Sequence, residues 1–253
     1  MDYPELKDRV AIITGAASGM GKCFSKRLAM EGAIAVMTDI NEAGLKAAAE
    51  EIGNDGGRVL PVQSDVRVYE QTERVVSTAI EAYGKVDIMI NVAGGAAARM
   101  LNRPGSREFR NMDIDVLDWG LDVNLRGAMY FNRAVVGHMI DQKSGVILNM
   151  GSVAGCVGAR FGVEYSAAKG GIISMTKALG MYCAPYGVRV NCVSPGPVLT
   201  RPEMANLKNY VGRAAEPDEI ADLVLFLCSD HSKFIVGQNY IIDGGRVLGA
   251  RGE

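Results

Sequence analysis

The chain has 253 residues, 48% of them hydrophobic and 22% charged, with 31 glycines and a formal net charge of −2. That balance suits one compact α/β domain with a large core and many tight turns. It excludes the basic footprint of a nucleic-acid binder and the polybasic segment of a membrane-surface protein, which leaves a small molecule as the expected partner. The five cysteines (Cys23, Cys156, Cys183, Cys192, Cys228) are scattered, with no Cys-x-x-Cys pair and no adjacent histidine. They are expected to be reduced and structural, and no metal site is expected. The first residues are acidic where a secretory signal would be basic and then apolar, and no apolar run approaches a spanning helix, so a cytoplasmic setting without a membrane partner is expected.

Residues Arg9–Thr14 read as a short apolar strand running into Thr14-Gly15-Ala16-Ala17-Ser18-Gly19-Met20-Gly21, and a helical pattern follows from about Met20 to Glu31. A strand, a glycine loop and a helix in this order allow a tight turn, close backbone approach and a row of unpaired N–H groups for a pyrophosphate. The second strand, Ile34–Thr38, ends at Asp39, about twenty residues past the loop, where a carboxylate can accept from ribose hydroxyls and repel a 2′-phosphate. With Ser18 in the loop instead of an arginine or lysine, NAD is favoured over NADP. Asp39 could also cap the next helix, from about Asn41 to Ile52.

A strand at Arg58–Gln63 is followed by Asp65, a helix at about Glu70–Tyr83 and a strand at Val86–Asn91 leading into Val92-Ala93-Gly94-Gly95. Such alternation predicts a doubly wound (Rossmann-type) parallel β-sheet with helices on both faces and ligands at the carboxyl ends of its strands. Residues 95–113 break the pattern with Arg99, Arg103, Arg107 and Arg110 and read as an irregular excursion. One long helix is predicted from about Asp115 to Met139, carrying Asn124, and the strand Val146–Met150 delivers Ser152. A glycine-containing loop leads to a helix starting at Tyr165 and running to about Ala184. The strand Val188–Ser194, stopped by Pro195-Gly196-Pro197, an irregular stretch to Ala215, a helix at Pro217–Cys228 and a strand at Tyr240–Asp243 complete the pattern.

Tyr165 and Lys169 stand at i, i+4, one turn apart on one helix face. A cation beside a phenol favours the phenolate and lowers a pKa that is otherwise about 10. The pair could equally be an unremarkable solvated face. His138 and His231 are expected to be structural.

Taken together, the glycine loop at 14–21, Asp65, Asn91-Val92-Ala93-Gly94, Asn124, Ser152, Tyr165 with Lys169, Pro195-Gly196 and Asp243-Gly244-Gly245 resemble the short-chain dehydrogenase/reductase (SDR) family over essentially the whole chain. The resemblance implies a single dinucleotide-binding domain over 1–253, with substrate loops at about 95–113 and 197–215. It implies reversible hydride transfer between a nicotinamide and a carbonyl or secondary alcohol. Tyr165 would be the general acid and base, Lys169 would lower its pKa and hold the nicotinamide ribose, Ser152 would hydrogen-bond the reacting oxygen, and Asn124 would keep a water near Lys169. The cofactor NAD would lie against Gly15, Ser18, Gly19, Met20, Gly21, Asp39, Ile40, Asp65, Val66, Asn91, Ala93, Gly94, Tyr165, Lys169, Pro195, Gly196, Val198 and Thr200. Relatives are usually homotetramers paired through the long helices, and this chain departs from the family's usual two asparagines at Asn91-Val92.

In that family's arrangement the 95–113 excursion, the loop around Arg160 and the segment from Thr200 would face the nicotinamide end, and they carry Arg99, Arg103, Arg107, Arg110, Arg160 and Arg201, of which one or two could clamp an anionic substrate such as a hydroxy acid. Arg160 is the first candidate, with Arg99 and Phe161 beside Ser152. The alternative is that these arginines are solvated or paired with Glu108, Asp113 or Glu203. A 3-oxoacyl-thioester reductase, a steroid or sugar alcohol dehydrogenase, or an idle dinucleotide-binding scaffold remain open as functions.

Overall fold

The computed structural model describes residues 3–205 and 209–249. The N-terminal Met1-Asp2, the end of the expected tail (250–253) and part of the expected second substrate loop (206–208) lie outside them. Seven parallel strands form one sheet in the order β3-β2-β1-β4-β5-β6-β7: β1 Val10–Thr14, β2 Ile34–Thr38, β3 Arg58–Pro61, β4 Ile88–Asn91, β5 Gly145–Met150, β6 Val188–Pro195 and β7 Asn239–Ile242. Every residue of β1, β2, β4 and β5 is buried, because each of these strands is covered by helices on both faces and needs apolar side chains in both directions.

The helices are α1 Gly19–Met30, α2 Glu42–Asn54, α3 Tyr69–Tyr83, α4 Ala97–Met100, α5 Ile114–Leu121, α6 Gly127–Gln142, α7 Val153–Val157, α8 Val163–Cys183 and α9 Pro217–Cys228. Their buried positions follow helical spacing, as Thr72, Val75, Val76 and Ala79 do on α3. Two cores result. Phe24, Leu28, Leu45, Ile220 and Leu225 pack on one face of the sheet, and Val75, Phe131, Val135 and Met139 on the other.

The chain winds outward from β1 to β3, then crosses back to place β4 on the other side of β1. The reversal leaves a crevice at the carboxyl ends of β1 and β4, which is where an open α/β sheet binds ligands. Three expected elements differ. The single long helix is α5 and α6 joined by a π turn at Asp122–Arg126, which widens the backbone around Asn124. The excursion holds α4 and two short 3-10 turns at Pro104–Arg107 and Phe109–Asn111. The helix of Tyr165 begins two residues earlier, at Val163, and α7 interrupts the loop before it, with the Ser152 hydroxyl accepting from Ala154 N at 3.1 Å as its cap.

Candidate functional site

A cleft of about 770 Å³ opens at the carboxyl ends of the strands. At one end lie the glycine loop and the start of α1. A Cβ on Gly21 would overlap the Gly15 carbonyl, so the first turn of α1 can lie on the loop only with glycine there. Thr14 Oγ1 accepts from Val92 N (2.9 Å) and Ala93 N (3.0 Å), tying the end of β4 to the end of β1 beneath the loop.

Asp39 lines the cleft. Its carboxylate accepts from Ala17 N (3.1 Å) and Asn41 N (2.9 Å), and so is fixed between the glycine loop and the start of α2. It does not cap α2: Asn41 does, accepting from Gly44 N at 3.1 Å. Asp65 also lines the cleft, but its carboxylate is gripped by Arg67, with Nη2 to Oδ2 at 2.6 Å and Nε to Oδ1 at 3.0 Å. That guanidinium holds the Asp65 carboxyl below its ordinary value. Arg67 was not among the expected contacts. The signal available was its place two residues beyond a strand-end aspartate.

At the other end of the cleft lie Ser152, Tyr165 and Lys169. Lys169 is buried and donates from Nζ to Met150 O at 2.8 Å, and burial depresses its ammonium to about 8. Its Nζ is 5.7 Å from the centre of the Tyr165 ring. The phenol itself differs from expectation. Burial raises Tyr165 above its ordinary value, and the opposing influences are a hydrogen bond with Ser152 and the charges of Arg201 and Arg99, with Lys169 not among them. Desolvation of the phenolate outweighs the neighbouring cations.

Asn124 braces this end. Its amide nitrogen donates to Gly95 O and Gly120 O, both at 2.9 Å, and its oxygen accepts from Gly95 N at 2.8 Å. Both amide hydrogens are therefore spent on backbone, and the side chain positions the turn after β4. The approach is close: a Cβ on Gly94 would stand 2.5 Å from Asn124 Oδ1 and 3.5 Å from Lys169 Nζ.

Among the remaining expected contacts, Gly15, Ser18, Gly19, Met20, Gly21, Ile40, Val66, Ala93, Gly94, Pro195, Gly196, Val198 and Thr200 all line the cleft. Asn91 does not. Its amide donates into the interior, to Asn132 Oδ1 at 2.7 Å and Asn149 Oδ1 at 2.9 Å, because β4 turns that side chain towards α6 and β5 instead of towards the crevice. Trp119, Val123, Met204 and Arg246 line the cleft as well and were not anticipated.

The arginines are sorted by the fold. Arg103 pairs with Asp113 and Asp115 at 3.7 and 3.9 Å, and Arg110 with Glu108 at 3.3 Å. Arg160 and Arg107 lie over the Phe161 ring, at 5.3 and 5.6 Å from its centre. Arg160 and Phe161, expected in the substrate pocket, are outside the lining of the cleft. The loop that carries them is exposed and is flanked by Gly158 and Gly162, both with positive φ. Only Arg99 and Arg201 of the six line the cleft.

No cluster of histidine, cysteine, aspartate or glutamate suited to a metal exists among the described residues, and no described helix is long and apolar enough to cross a membrane. The donors and shape fit a dinucleotide: a glycine cradle at a helix start, a carboxylate at the end of β2, and a buried ammonium beside a phenol.

The sequence profile described as short chain dehydrogenase matches residues 9–210. Trans-4-hydroxycyclohexanecarboxylate dehydrogenase of Sinomonas cyclohexanicum is 40% identical, with 96% of this chain and 94% of that protein covered. The dehydrogenase subunit BbsD of Thauera aromatica, named for a hydroxy(phenyl)methyl succinyl-CoA, is 38% identical over 96% of this chain and 98% of its own. The crystal structure of gox2181 matches with a TM-score of 0.89 at 29% identity, covering 97% of this chain and 99% of that one.

Proposed function

The chain belongs to the short-chain dehydrogenase family, oxidoreductases that act on CH–OH groups with a nicotinamide dinucleotide, and we propose that it is an NAD(H)-dependent enzyme interconverting a secondary alcohol and a ketone on a small anionic substrate such as a hydroxy acid. The observation that carries this reading is the convergence of Ser152, Tyr165 and Lys169 at one end of a cleft whose other end is fixed by Asp39. The similarity to a hydroxycyclohexanecarboxylate dehydrogenase supports the anionic substrate.

When bound, the dinucleotide supplies or accepts the hydride. The residues of the chain manage position and proton. In reduction the Tyr165 phenol, which burial keeps protonated, gives its proton to the developing alkoxide, and in oxidation its phenolate form takes the hydroxyl proton; the Ser152 hydroxyl stabilises the developing oxyanion as a donor. Lys169, anchored on Met150 O, presents its charge beside the phenol and the place of the nicotinamide ribose. Asn124 acts one step back, by holding the Gly94-Gly95 turn against Lys169. The glycine loop and the start of α1 would hold the pyrophosphate, and Val66, with the Asp65–Arg67 pair, the adenine end.

NAD in preference to NADP rests on the Asp39 carboxylate, fixed by two backbone donors where a 2′-phosphate would have to stand. Arg67 has its Nε and Nη2 committed to Asp65 in a two-point grip, which neutralises much of the charge it could offer that phosphate. The reading extends to one dinucleotide-binding domain with substrate loops at 95–113 and 197–215. It extends also to a cytoplasmic homotetramer, in keeping with the exposed apolar Met129 on α6 and Met181 and Tyr182 on α8.

The test is NADH formation with 3-hydroxybutyrate, 4-hydroxycyclohexanecarboxylate, their carboxamides and neutral secondary alcohols, repeated with NADP. Turnover with NAD at least about tenfold better than with NADP is expected. Tight NADH binding without turnover of any alcohol or ketone would instead make the chain a dinucleotide-binding scaffold.

A further inference from the structure

The charges of the cleft are divided along its length. Its lining carboxylates among the described residues are Asp39 and Asp65, both at the adenosine end. Arg99 and Arg201 line the cleft with Ser152 and Tyr165; of its other lining cations, Lys169 is spent on Met150 O, Arg67 on Asp65, and Arg246 enters from beyond β7. Arg99 stands over the Gly94-Gly95 turn, its Nη2 3.2 Å from where a Cβ on Gly95 would lie, and has no ion-pair partner among the described residues. Arg201 has one, Glu203, at 3.7 Å, and that carboxylate is largely exposed and outside the cleft lining.

We infer that Arg99 and Arg201 together form an anion subsite facing Tyr165, and that the substrate is a hydroxy or oxo carboxylate whose carboxylate sits between the two guanidinium groups. The inference rests on the proposed alcohol–ketone chemistry of the same cleft and goes beyond it by naming the residues and the chemical class they select. Two like charges lining one end of a cleft, with a single largely exposed carboxylate, Glu203, beside one of them, repel each other. Burial and the charge of Arg99 both depress the Arg201 guanidinium, and both arginines act on the Tyr165 phenol. A carboxylate between them removes the repulsion and accepts charge-assisted hydrogen bonds from planar forks suited to it. The two arginines come from separate segments, one on α4 and one after β6, so the pair orients the carboxylate as well as attracting it and fixes which carbinol carbon faces the phenol.

The decisive measurement is calorimetric binding of butanoate and cyclohexanecarboxylate, each against its amide, to the protein saturated with NADH. Arg99→Gln, Arg201→Gln and Arg160→Gln are measured alongside. The carboxylates should bind the parent protein about 10- to 100-fold more tightly than the amides. Arg99→Gln and Arg201→Gln should each remove most of that preference while amide and NADH affinities stay within about twofold. Arg160→Gln, outside the cleft, should change nothing. Equal binding of acid and amide, binding of neither, or equal weakening of both in the arginine variants overturns the subsite. Loss of NADH affinity with the acid preference intact assigns the arginines to the dinucleotide and also overturns it. A carboxylate preference in a protein that turns over no alcohol or ketone would sink the proposed reaction and leave the subsite standing. Turnover of acids and amides at equal kcat/KM would do the reverse.

Discussion

Lys169 pairs a functional demand with a stability cost, and the cost can be measured. Its ammonium is buried with Met150 O as its hydrogen-bond acceptor, at 2.8 Å, and its pKa is depressed from 10.5 to about 8. At 1.36 kcal/mol per unit, protonated Lys169 costs the folded state about 3 kcal/mol. Below pH 8 the lysine is charged in both folded and unfolded chains, and the full penalty is present. Between pH 8 and 10.5 the unfolded chain binds the extra proton, so stability contributed by this group rises with pH, and above 10.5 the penalty is gone. Lys169→Met removes the charge and keeps most of the volume. It also removes the donor to Met150 O, which costs about 1–2 kcal/mol. The variant should therefore be more stable than the parent by about 1–2 kcal/mol at pH 7 and less stable by a similar amount near pH 10.5. Urea denaturation followed by the fluorescence of Trp119, the only tryptophan, at one fixed protein concentration and both pH values, reads the difference. Titration elsewhere cancels between the two proteins. A variant less stable than the parent at pH 7, or a difference of constant sign and size at both pH values, would refute the argument that desolvation dominates this site.

Tyr165→Phe should abolish turnover while leaving NADH affinity within about twofold, since the phenol hydroxyl is needed for the proton and not for the dinucleotide; near-normal kcat in that variant would remove Tyr165 from the chemistry. Asp39→Ser should raise kcat/KM for NADP by about 10- to 100-fold by removing like-charge repulsion against the 2′-phosphate, and unchanged cofactor preference would show that Asp39 does not face that position. In Gly21→Ala the added methyl meets the Gly15 carbonyl. The loop must shift, stability should fall by about 1–3 kcal/mol, and NADH titration should show the dinucleotide affinity falling with it. Retained NADH affinity would mean that the loop does not cradle the pyrophosphate.

What could be read from the sequence was whatever local pattern dictates. The runs of β1, β2, β4 and β5 are apolar because both faces of a central parallel strand are covered, and they stand out without coordinates. The glycine spacing of 15–21 and the i, i+4 placement of Tyr165 and Lys169 are local geometry too, and the cleft contains all of them. Tertiary structure decided the rest, because it depends on groups far apart in the chain. Asn91 looks like a crevice residue until Asn132 and Asn149 claim its amide from inside the fold. The π turn at Asn124 interrupts a helical pattern that periodicity reads as continuous, where the side-chain amide donates to Gly95 O and Gly120 O and accepts from Gly95 N. Six loop arginines are alike in sequence, yet four are held outside the cleft by carboxylates or by the Phe161 ring, and two face the phenol. Arg160, nearest to Tyr165 in the chain, lies over the Phe161 ring and outside the cleft lining. The reason is physical: periodicity fixes which face of an element is buried, but the direction of a loop side chain is set by the partners that packing brings within reach, and those partners are distant in sequence.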